Sequence, residues 1–350
     1  MEHVVNDAVE QALALLAIDS PSGYTETVAQ YAYNHLKDLG FDPQYTRKGA
    51  VLVNLTPNLP QDNGLLLLAH LDTLGGMISR ITGEGRIHIV NVGGLRPHNC
   101  EGENVRIRTR DGKVYTGTFQ LHNPSAHVNP DYSDTPRTFD TMEVVLDEEV
   151  ESREDVKALG ISNGDVVCFD PRTTVTPSGY IKSRFLDDKL SAGILLALAR
   201  QVANGDVTPT RPLWLHLTGY EEVGHGGSTS VPAGITDVVA VDMGCVGDNL
   251  EGEERKVSIC AKDGRSPYDY ALTSQLIEAA KQSGADYAVD IFTNYGSDAD
   301  ATLSAGYEVR HGLIGPGVYA SHGYERSHRK GVEATLRLLW AYLDPSVGSC

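Results

Sequence analysis

The segment Leu65-Leu-Leu-Leu-Ala-His-Leu-Asp72 decides how this 350-residue chain folds, because an unbroken apolar run ends abruptly in an imidazole and a carboxylate. A short continuous apolar run is typical of a strand that helices cover on both faces of an α/β sheet. In such sheets, ligands bind just beyond the carboxyl ends of the strands. The segment therefore predicts an α/β layer and places a candidate site at its end.

Helical and strand patterns alternate on both sides of this run. Helices are predicted at 4–18, 25–39, 190–204, 272–282 and 331–343. Further strands are predicted at 51–55, 213–218, 238–241 and 287–292. The second helix stops at Gly40, as a helix with a glycine just past its end does. The fold class is therefore α/β, with a layered sheet.

The stretch 76–174 has a different pattern. Short alternating segments at 86–92, 105–109 and 113–119 are separated by glycine-containing turns, and helical periodicity is almost absent. A polar passage at 124–141 is followed by a short helix near 153–159 and a strand pattern at 165–170. We expect a discontinuous α/β domain formed by residues 1–75 and 175–350, and an inserted β-rich domain formed by 76–174.

The chain is strongly acidic, with 29 Lys and Arg against 47 Asp and Glu and a formal net charge of −18. It lacks the clustered positive charge that neutralises phosphates, and an anionic membrane surface repels it. No apolar run approaches the roughly 20 residues that cross a bilayer, and the acidic amino-terminal residues show no cleavable secretory pattern. We therefore expect a cytoplasmic protein that binds neither nucleic acid nor membrane.

The cysteines are Cys100, Cys168, Cys245, Cys260 and Cys350. Their odd number, their wide spacing and the absence of a C-x-x-C motif argue against a disulfide framework and against a thiolate zinc site. We expect reduced, mostly buried thiols.

Five short passages concentrate His, Asp and Glu next to apolar strands. They are His70-Leu-Asp72, Leu186-Asp-Asp188, Glu221-Glu222, Val241-Asp242 and Ser321-His-Gly-Tyr-Glu325. Each alone has an ordinary explanation as a polar strand end, a helix cap or a solvated acidic loop. Together they offer nitrogen and oxygen ligands without thiolate, which suits two zinc or cobalt ions better than calcium, whose shells are all oxygen.

Paired divalent ions about 3.5–4 Å apart polarise a carbonyl and lower the pKa of a bound water toward ~7. A nearby carboxylate that is not a ligand can then take the proton of that water. Glu221-Glu222 suits this division into one ligand and one base, because two unpaired carboxylates at a strand end are otherwise costly. A glycosidase pair is the competing chemistry, but it needs carboxyls facing each other about 5–9.5 Å apart, which sequence neighbours provide poorly.

The order and spacing of these passages resemble the dinuclear-metal aminopeptidases of the tetrahedral (TET) and glutamyl aminopeptidase type, some of which carry cellulase-like names. The resemblance covers nearly the whole chain and includes Ile18-Asp-Ser-Pro-Ser-Gly23, Asn123-Pro-Ser-Ala-His127 and Gly296-Ser-Asp-Ala299. It implies a zinc exopeptidase-like fold, a mixed central sheet sandwiched by helices. It also implies that the insert is a small PDZ-like domain for oligomerisation or substrate access, in a homo-oligomer ranging from a dimer to a dodecameric tetrahedral shell.

Carried over position by position, the resemblance implies a set of metal ligands: His70, Asp187, Glu222, Asp242 and His322. Asp187 would bridge two divalent ions, with Zn²⁺ favoured and Co²⁺ the alternative. The resemblance assigns the general-base role to Glu221 and the orientation of His70 to Asp72. His225 and Asp298 are the candidate substrate-binding residues. The implied reaction removes N-terminal residues from short peptides.

Three positions depart from the family pattern: Thr73 replaces Glu, Lys189 replaces Arg and His225 replaces Leu. Residues 182–189 and 321–328 look most like a narrower branch associated with N-acetylglutaminylglutamine amide osmoprotectant metabolism, which makes an amidated dipeptide a candidate substrate. Two alternatives stay open: a metal-dependent deacylase, amidase or carboxypeptidase-like hydrolase on the same site, and a non-catalytic oligomeric scaffold. The net acidity predicts a preference for cationic over acidic peptides.

Overall fold

The computed structural model describes residues 1–346, and the chain divides into two compact units: residues 1–72 with residues from 172 onward, and Thr73–Pro171. The α-helices are α1 (Glu2–Leu16), α2 (Glu26–Asp38), α3 (Arg153–Ala158), α4 (Leu186–Asn204), α5 (Tyr270–Gln282), α6 (Asp298–Ser304) and α7 (Arg329–Leu343). The strands are β1 (Gln44–Tyr45), β2 (Val51–Asn54), β3 (Gly64–His70), β4 (Gly75–Ile81), β5 (Ile87–Val92), β6 (Glu103–Arg108), β7 (Val114–Leu121), β8 (Met142–Leu146), β9 (Val166–Phe169), β10 (Thr174–Val175), β11 (Tyr180–Ser183), β12 (Leu213–Thr218), β13 (Ile235–Val241), β14 (Gly244–Val246), β15 (Val257–Lys262), β16 (Tyr287–Ile291), β17 (Arg310–Tyr319) and β18 (Glu325–His328).

The first unit is built around a 12-stranded mixed sheet. Its main path runs in the order β1-β2-β12-β3-β13-β17-β18-β11-β10, and β14 and β15 pair with β17, with β16 beside β15. Strand β3 pairs in parallel with β12 and β13, and β13 pairs in parallel with β17. Strands β2 and β18 run antiparallel to their neighbours. The predicted α/β class with a mixed central sheet is therefore confirmed.

Strand β3 lies in the middle of this sheet because both of its faces are apolar, and all seven of its residues are buried. Leu66 and Leu68 pack in one core cluster with Ala299 of α6. The alternate leucines point to the opposite face, and α4 also contacts the strand. Burial of each leucine stabilises the fold by about 1.5–3 kcal/mol, so the run holds the centre of the sheet.

Parallel pairing brings the carboxyl ends of three strands to one level. Thr218, the last residue of β12, is in register with His70, the last residue of β3. On the other side, Ala240 of β13 pairs with Leu68, and Asp242 follows that strand directly. The polar residues that end these strands therefore meet at one edge of the sheet, where α/β proteins bind ligands.

The second unit contains a closed six-stranded barrel in the order β4-β5-β8-β7-β6-β9. The short strands predicted between 86 and 170 correspond to β5, β6, β7 and β9, and the predicted short helix corresponds to α3. Ser152 caps that helix, because its side chain accepts a hydrogen bond from the Asp155 N–H. The polar passage 124–141 forms turns without helix or strand. A role of this unit in oligomerisation or substrate access stays a prediction.

The sequence pattern did not predict β17, which is the longest strand among residues 1–346. Gly315, Pro316 and Gly317 lie in it, and such residues normally argue against a strand interior. The backbone packing requires the glycines: a Cβ on Gly315 would lie 1.8 Å from the main-chain oxygen of Asp242. The close approach of two main chains therefore explains why this strand contains glycines that a local sequence pattern would assign to a loop.

Two expectations from composition concern the thiols and the membrane. Cys100, Cys168 and Cys260 are buried and not disulfide-bonded, and Cys245 is half-buried and not disulfide-bonded, as predicted, whereas Cys350 lies outside the described residues. None of the helices in residues 1–346 combines the length and apolar character needed to span a bilayer.

Candidate metal centre

His70, at the end of β3, is 1% exposed. Its Nδ1 lies 2.9 Å from the main-chain oxygen of Asp72 and 3.6 Å from the Asp72 Oδ1. In the tautomer that donates Nδ1–H to this carbonyl, Nε2 keeps a free lone pair, as in metal-binding histidines. Nε2 lies 3.0 Å from Asp187 Oδ1. His70 is therefore oriented as a ligand.

The Asp72 carboxylate is fully buried and holds the turn that carries the two glutamates. It accepts hydrogen bonds from the main-chain N–H groups of Glu221 at 3.1 Å and Glu222 at 3.3 Å. The Ser22 hydroxyl donates to the same carboxylate at 2.5 Å. Asp72 contacts His70 most closely through its main-chain oxygen. The Asp72 carboxylate therefore mainly positions Glu221 and Glu222.

Asp187 and Asp188 precede the regular part of α4, and their main-chain torsion angles are not helical. Asp187 Oδ1 faces the His70 imidazole, and Asp187 Oδ2 lies 3.5 Å from His322 Nε2. One carboxylate thus presents an oxygen to each imidazole, which is the arrangement a bridging ligand requires. The sequence predicted these acids before a helix starting at 190, and the regular part of α4 does begin after them, although the element as a whole starts at Leu186.

The remaining candidate ligands complete two overlapping groups. Glu222 Oε2 lies 3.6 Å from His322 Nε2, and Glu221 Oε2 lies 3.8 Å from His70 Nε2. Ligand atoms lie within 4.8 Å of one another in the groups His70, Asp187, Glu222 and His70, Asp188, Asp242. The fold therefore brings together all five predicted ligands, and it adds Asp188, which the sequence interpretation left in a helix cap.

Burial governs the protonation of these acids. Desolvation raises the pKa of Glu221, Glu222 and Asp188 well above the usual range and raises the pKa of Asp242 to about 7. Desolvation also acts on Asp187, but without metal the imidazoles of His322 and His70 can carry a proton on Nε2, and their hydrogen bonds to the carboxylate outweigh desolvation and hold the pKa of Asp187 low. The protein itself thus favours a charged Asp187 between two imidazoles.

The donor set fits a pair of divalent cations. Asp188 Oδ1 and Glu222 Oε1 are buried and have no hydrogen-bond donor in the part of the chain that the structure describes. Within the described residues, the carboxylates of this cluster share two imidazoles, which is unfavourable without additional positive charge. Nitrogen and oxygen donors without thiolate suit zinc-type ions.

Glu325 positions two of these residues, and the sequence interpretation assigned it no role. Its Oε2 accepts the Asp187 N–H at 3.1 Å, and its Oε1 accepts the His322 N–H at 2.9 Å. Burial raises the pKa of Glu325 to about 8. Its only sequence signal is its place in the His322 passage, because Asp187 is 138 residues away along the chain.

Asp298, a predicted substrate-binding residue, is 3% exposed and already hydrogen-bonded. It accepts hydrogen bonds from the Thr218 hydroxyl and, at 2.6 Å, from the Gly227 N–H. A Cβ on Gly227 would lie 2.3 Å from the main-chain oxygen of Asp298, so the turn rests directly on α6. The carboxylate therefore anchors the chain that follows Glu221 and Glu222.

His225, the other predicted substrate-binding residue, is exposed. Its Nδ1 lies 3.0 Å from Lys48 Nζ, and its ring stacks on Tyr220 with the centroids 5.1 Å apart. Lys48 also donates to the main-chain oxygen of His225. These contacts hold the glycine-rich turn in addition to the hydrogen bonds that Asp298 accepts.

The other two departures from the family pattern make local contacts. Lys189 is fully buried, and its Nζ donates to the main-chain oxygens of Leu15 at 2.9 Å and Ile18 at 2.7 Å. A positive charge is favourable there because the carboxyl end of α1 carries unpaired carbonyls. Thr73 belongs to the second unit, where its Oγ1 donates to the Leu74 oxygen at 3.0 Å.

Imidazoles and carboxylates gathered at the carboxyl edge of an α/β sheet are characteristic of metal-dependent hydrolases. A family model described as M42 glutamyl aminopeptidase matches residues 49–338. The chain therefore belongs to the M42 aminopeptidase family, which favours a peptidase over a non-catalytic scaffold.

Curated relatives agree with this family, and a solved structure shares the fold. The Bacillus subtilis (strain 168) protein named "Putative aminopeptidase YhfE" is 40% identical over 97% of this chain and 98% of that protein. The lysyl aminopeptidase of Pyrococcus furiosus is 24% identical over 67% of this chain and 66% of that protein. The Pyrococcus horikoshii TET1 peptidase shares the fold, with a TM-score of 0.84 and 22% identity over 96% of this chain and 99% of that chain.

Proposed function

We propose that this protein is a dinuclear metal-dependent aminopeptidase that removes N-terminal residues from short peptides. The observation that carries the proposal is the pair of candidate ligand groups that share the His70 imidazole. In residues 1–346 no lysine or arginine forms an ion pair with Asp187, Asp188, Glu221, Glu222 or Asp242. Bound cations are the natural source of the missing positive charge.

Two divalent cations, with Zn²⁺ favoured over Co²⁺, would be held by His70, Asp187, Glu222, Asp242 and His322. When bound, they supply polarisation of the scissile carbonyl and a lowered pKa of the attacking water. We assign Asp188 a positioning role, because its Oδ2 accepts the main-chain N–H of His70 at 3.2 Å.

Glu221 acts as the general base. Its carboxylate lies beside His70 but outside the pair of contacts that Asp187 makes with both imidazoles. It takes the proton of the attacking water and delivers it to the leaving amine. Asp72 and Asp298 keep it in place through the turn that follows β12.

We also propose a cytoplasmic homo-oligomer. The P. horikoshii TET1 peptidase, which shares the fold, can assemble into a tetrahedron or a large octahedral shell. The barrel unit Thr73–Pro171 would supply part of the subunit contacts. Light scattering of the purified protein measures this directly, and a monomer would contradict the proposal.

Elemental analysis combined with Glu221→Gln tests the mechanism. We expect up to two ions per chain in both proteins and an unchanged melting temperature. Turnover of short free-amine peptides should fall by about 10²–10⁴-fold, the usual contribution of a general base. Undiminished turnover would remove Glu221 from the mechanism, and an active protein without stoichiometric metal would overturn the dinuclear site. Preference for N-acetylated over free-amine peptides would favour the deacylase alternative.

A further inference from the structure

We propose that Arg265 binds a carboxylate group of the peptide substrate. The inference rests on the proposed aminopeptidase function and names a chemical feature of its substrate. Arg265 is exposed and lies between β15 and α5. It is not among the residues that the family resemblance assigns.

The Arg265 guanidinium lies beside the turn that carries the two glutamates. Its Nη2 is 3.7 Å from the position that a Cβ would take on Gly224, two residues after Glu222. Its Nε is 3.0 Å from the corresponding position on Gly296. Glycine at these two positions leaves room for the guanidinium next to the candidate active site.

The segment on the other side of the guanidinium is tied to the candidate ligand Asp242. The Gly264 N–H donates to the main-chain oxygen of Tyr295 at 3.0 Å. The Tyr295 hydroxyl in turn donates to the main-chain oxygen of Met243, the residue after Asp242, at 3.0 Å. Arg265 is thereby held at the same edge of the sheet as the candidate metal ligands.

A buried carboxylate makes the Arg265 turn rigid. Asp263 is fully buried and accepts hydrogen bonds from the N–H groups of Arg265 at 2.8 Å and Ser266 at 3.1 Å. It also accepts the Tyr268 hydroxyl at 2.9 Å. Asp263 therefore holds the Arg265 main chain, and within residues 1–346 no carboxylate forms an ion pair with the guanidinium.

Arg265 offers a cation to a ligand at this edge. The neighbouring Lys48 is occupied, because its Nζ donates to the His225 oxygen and lies 3.3 Å from Ser228 Oγ. A planar guanidinium without an acidic partner matches a carboxylate through two parallel hydrogen bonds. Although the net charge of −18 predicts cationic peptides as substrates, the local charge at Arg265 favours a peptide that carries a carboxylate.

The carboxylate has two possible sources with the same chemistry: the C-terminus of a short peptide, or an acidic side chain at its N-terminal residue. Two matched substrate pairs separate them. Ala-Ala and Ala-Ala-amide differ in the terminal carboxylate, and the p-nitroanilides of Glu and Gln differ in the side-chain carboxylate. The amide also represents the amidated-dipeptide alternative.

The experiment compares kcat and KM of the metal-loaded wild type, Arg265→Met, Arg265→Lys and the control Arg337→Met on α7. Arg265→Met should lower kcat/KM by about 10–100-fold for the carboxylate-bearing member of one pair, mainly through KM, as expected for a lost charge-assisted hydrogen bond. The neutral member should change less than about two-fold, and Arg265→Lys should lie between. The pair that responds identifies the source.

Equal losses on all four substrates, or no loss on any, would overturn the assignment of Arg265 and leave the proposed function intact. A wild type that is inactive on all four would instead count against the proposed function. In that case, calorimetric binding of Ala-Ala and Glu-amide to wild type and Arg265→Met still decides the inference: equal affinities would overturn it.

Discussion

Strand β13 carries a buried aspartate near each end, and the protein treats the two in opposite ways. Asp237, near its start, accepts hydrogen bonds from Arg211 Nη1 at 2.5 Å and from Arg310 Nε and Nη2, both at 2.7 Å. Asp242, just past its end, accepts the Met243 N–H at 2.6 Å and faces His70 and further acids. Burial, followed by the charge of Asp187, raises the pKa of Asp242 to about 7.

The contrast separates an acid that the protein itself neutralises from a candidate metal ligand. At Asp237 two guanidinium groups from the protein neutralise the buried charge, so nothing else is needed there. At Asp242 the fold gathers further carboxylates and provides imidazoles but no described arginine or lysine partner. The carboxyl edge of the sheet is therefore suited to a cation from outside the chain, whereas the buried charge at the amino edge is already neutralised.

The largest effect is expected from Asp242→Asn, which should weaken metal binding by at least about 100-fold, since even indirect partners of a ligand cost 10–100-fold. Aminopeptidase turnover at limiting metal should fall with it. The metal-free variant should be as stable as the metal-free wild type or more so, because one member of a repelling cluster is gone. Metal titration and thermal unfolding in chelator measure both quantities, and wild-type metal affinity would refute the contrast.

Asp237→Asn is expected to act on stability alone. Its removal leaves two guanidinium groups without their partner, which should lower the free energy of unfolding by about 3 kcal/mol. Metal content and kcat per folded molecule should stay at wild-type values. Urea unfolding followed by circular dichroism checks the first expectation. A parallel loss of bound metal would mean that the two ends of β13 are not independent.

The smallest effect concerns Asp300 in α6, which accepts the Ser297 N–H at 3.1 Å and the Tyr268 hydroxyl at 3.3 Å. Burial, then the neighbouring Asp263, raises its pKa to about 7, and His311 Nε2 lies 3.7 Å from its Oδ1. The folded state keeps a proton that the unfolded state releases near pH ~4. Asp300 therefore weakens stability as the pH rises from about 4 to about 7.

Asp300→Asn should flatten this part of the pH profile. The free energy of unfolding, measured in urea and chelator between pH 4.5 and about 7.5, reports the difference between wild type and variant. The exposed Glu278→Gln on α5 is the matched control and should run parallel to wild type. Parallel profiles for Asp300→Asn would place the proton elsewhere in the group formed with Asp263 and Tyr268.

Local patterns were sufficient for the strands that build the site. The predicted strand at 213–218 has the bounds of β12, and the apolar run 65–69 lies within β3. These predictions succeed because a strand that is buried on both faces needs an unbroken apolar stretch, and its polar end is visible in the sequence itself. The positions of His70, Glu221, Glu222 and Asp242 along the chain followed from those ends.

Tertiary structure alone decided which of these polar groups form hydrogen bonds with one another. Glu325 joins Asp187 to His322, Asp72 holds the Glu221 turn, and Asp298 supports that turn from α6. The partners are distant in sequence, and a periodic pattern reports only on residues a few positions apart. Strand β17 was not predicted for the same reason, because its glycines are required by the close approach of main chain from a distant part of the sequence. Apolar periodicity therefore determined the layers and the strand ends. Long-range packing determined which buried acids pair with arginine, as Asp237 does, and which lie in the candidate metal centre, as Asp242 does.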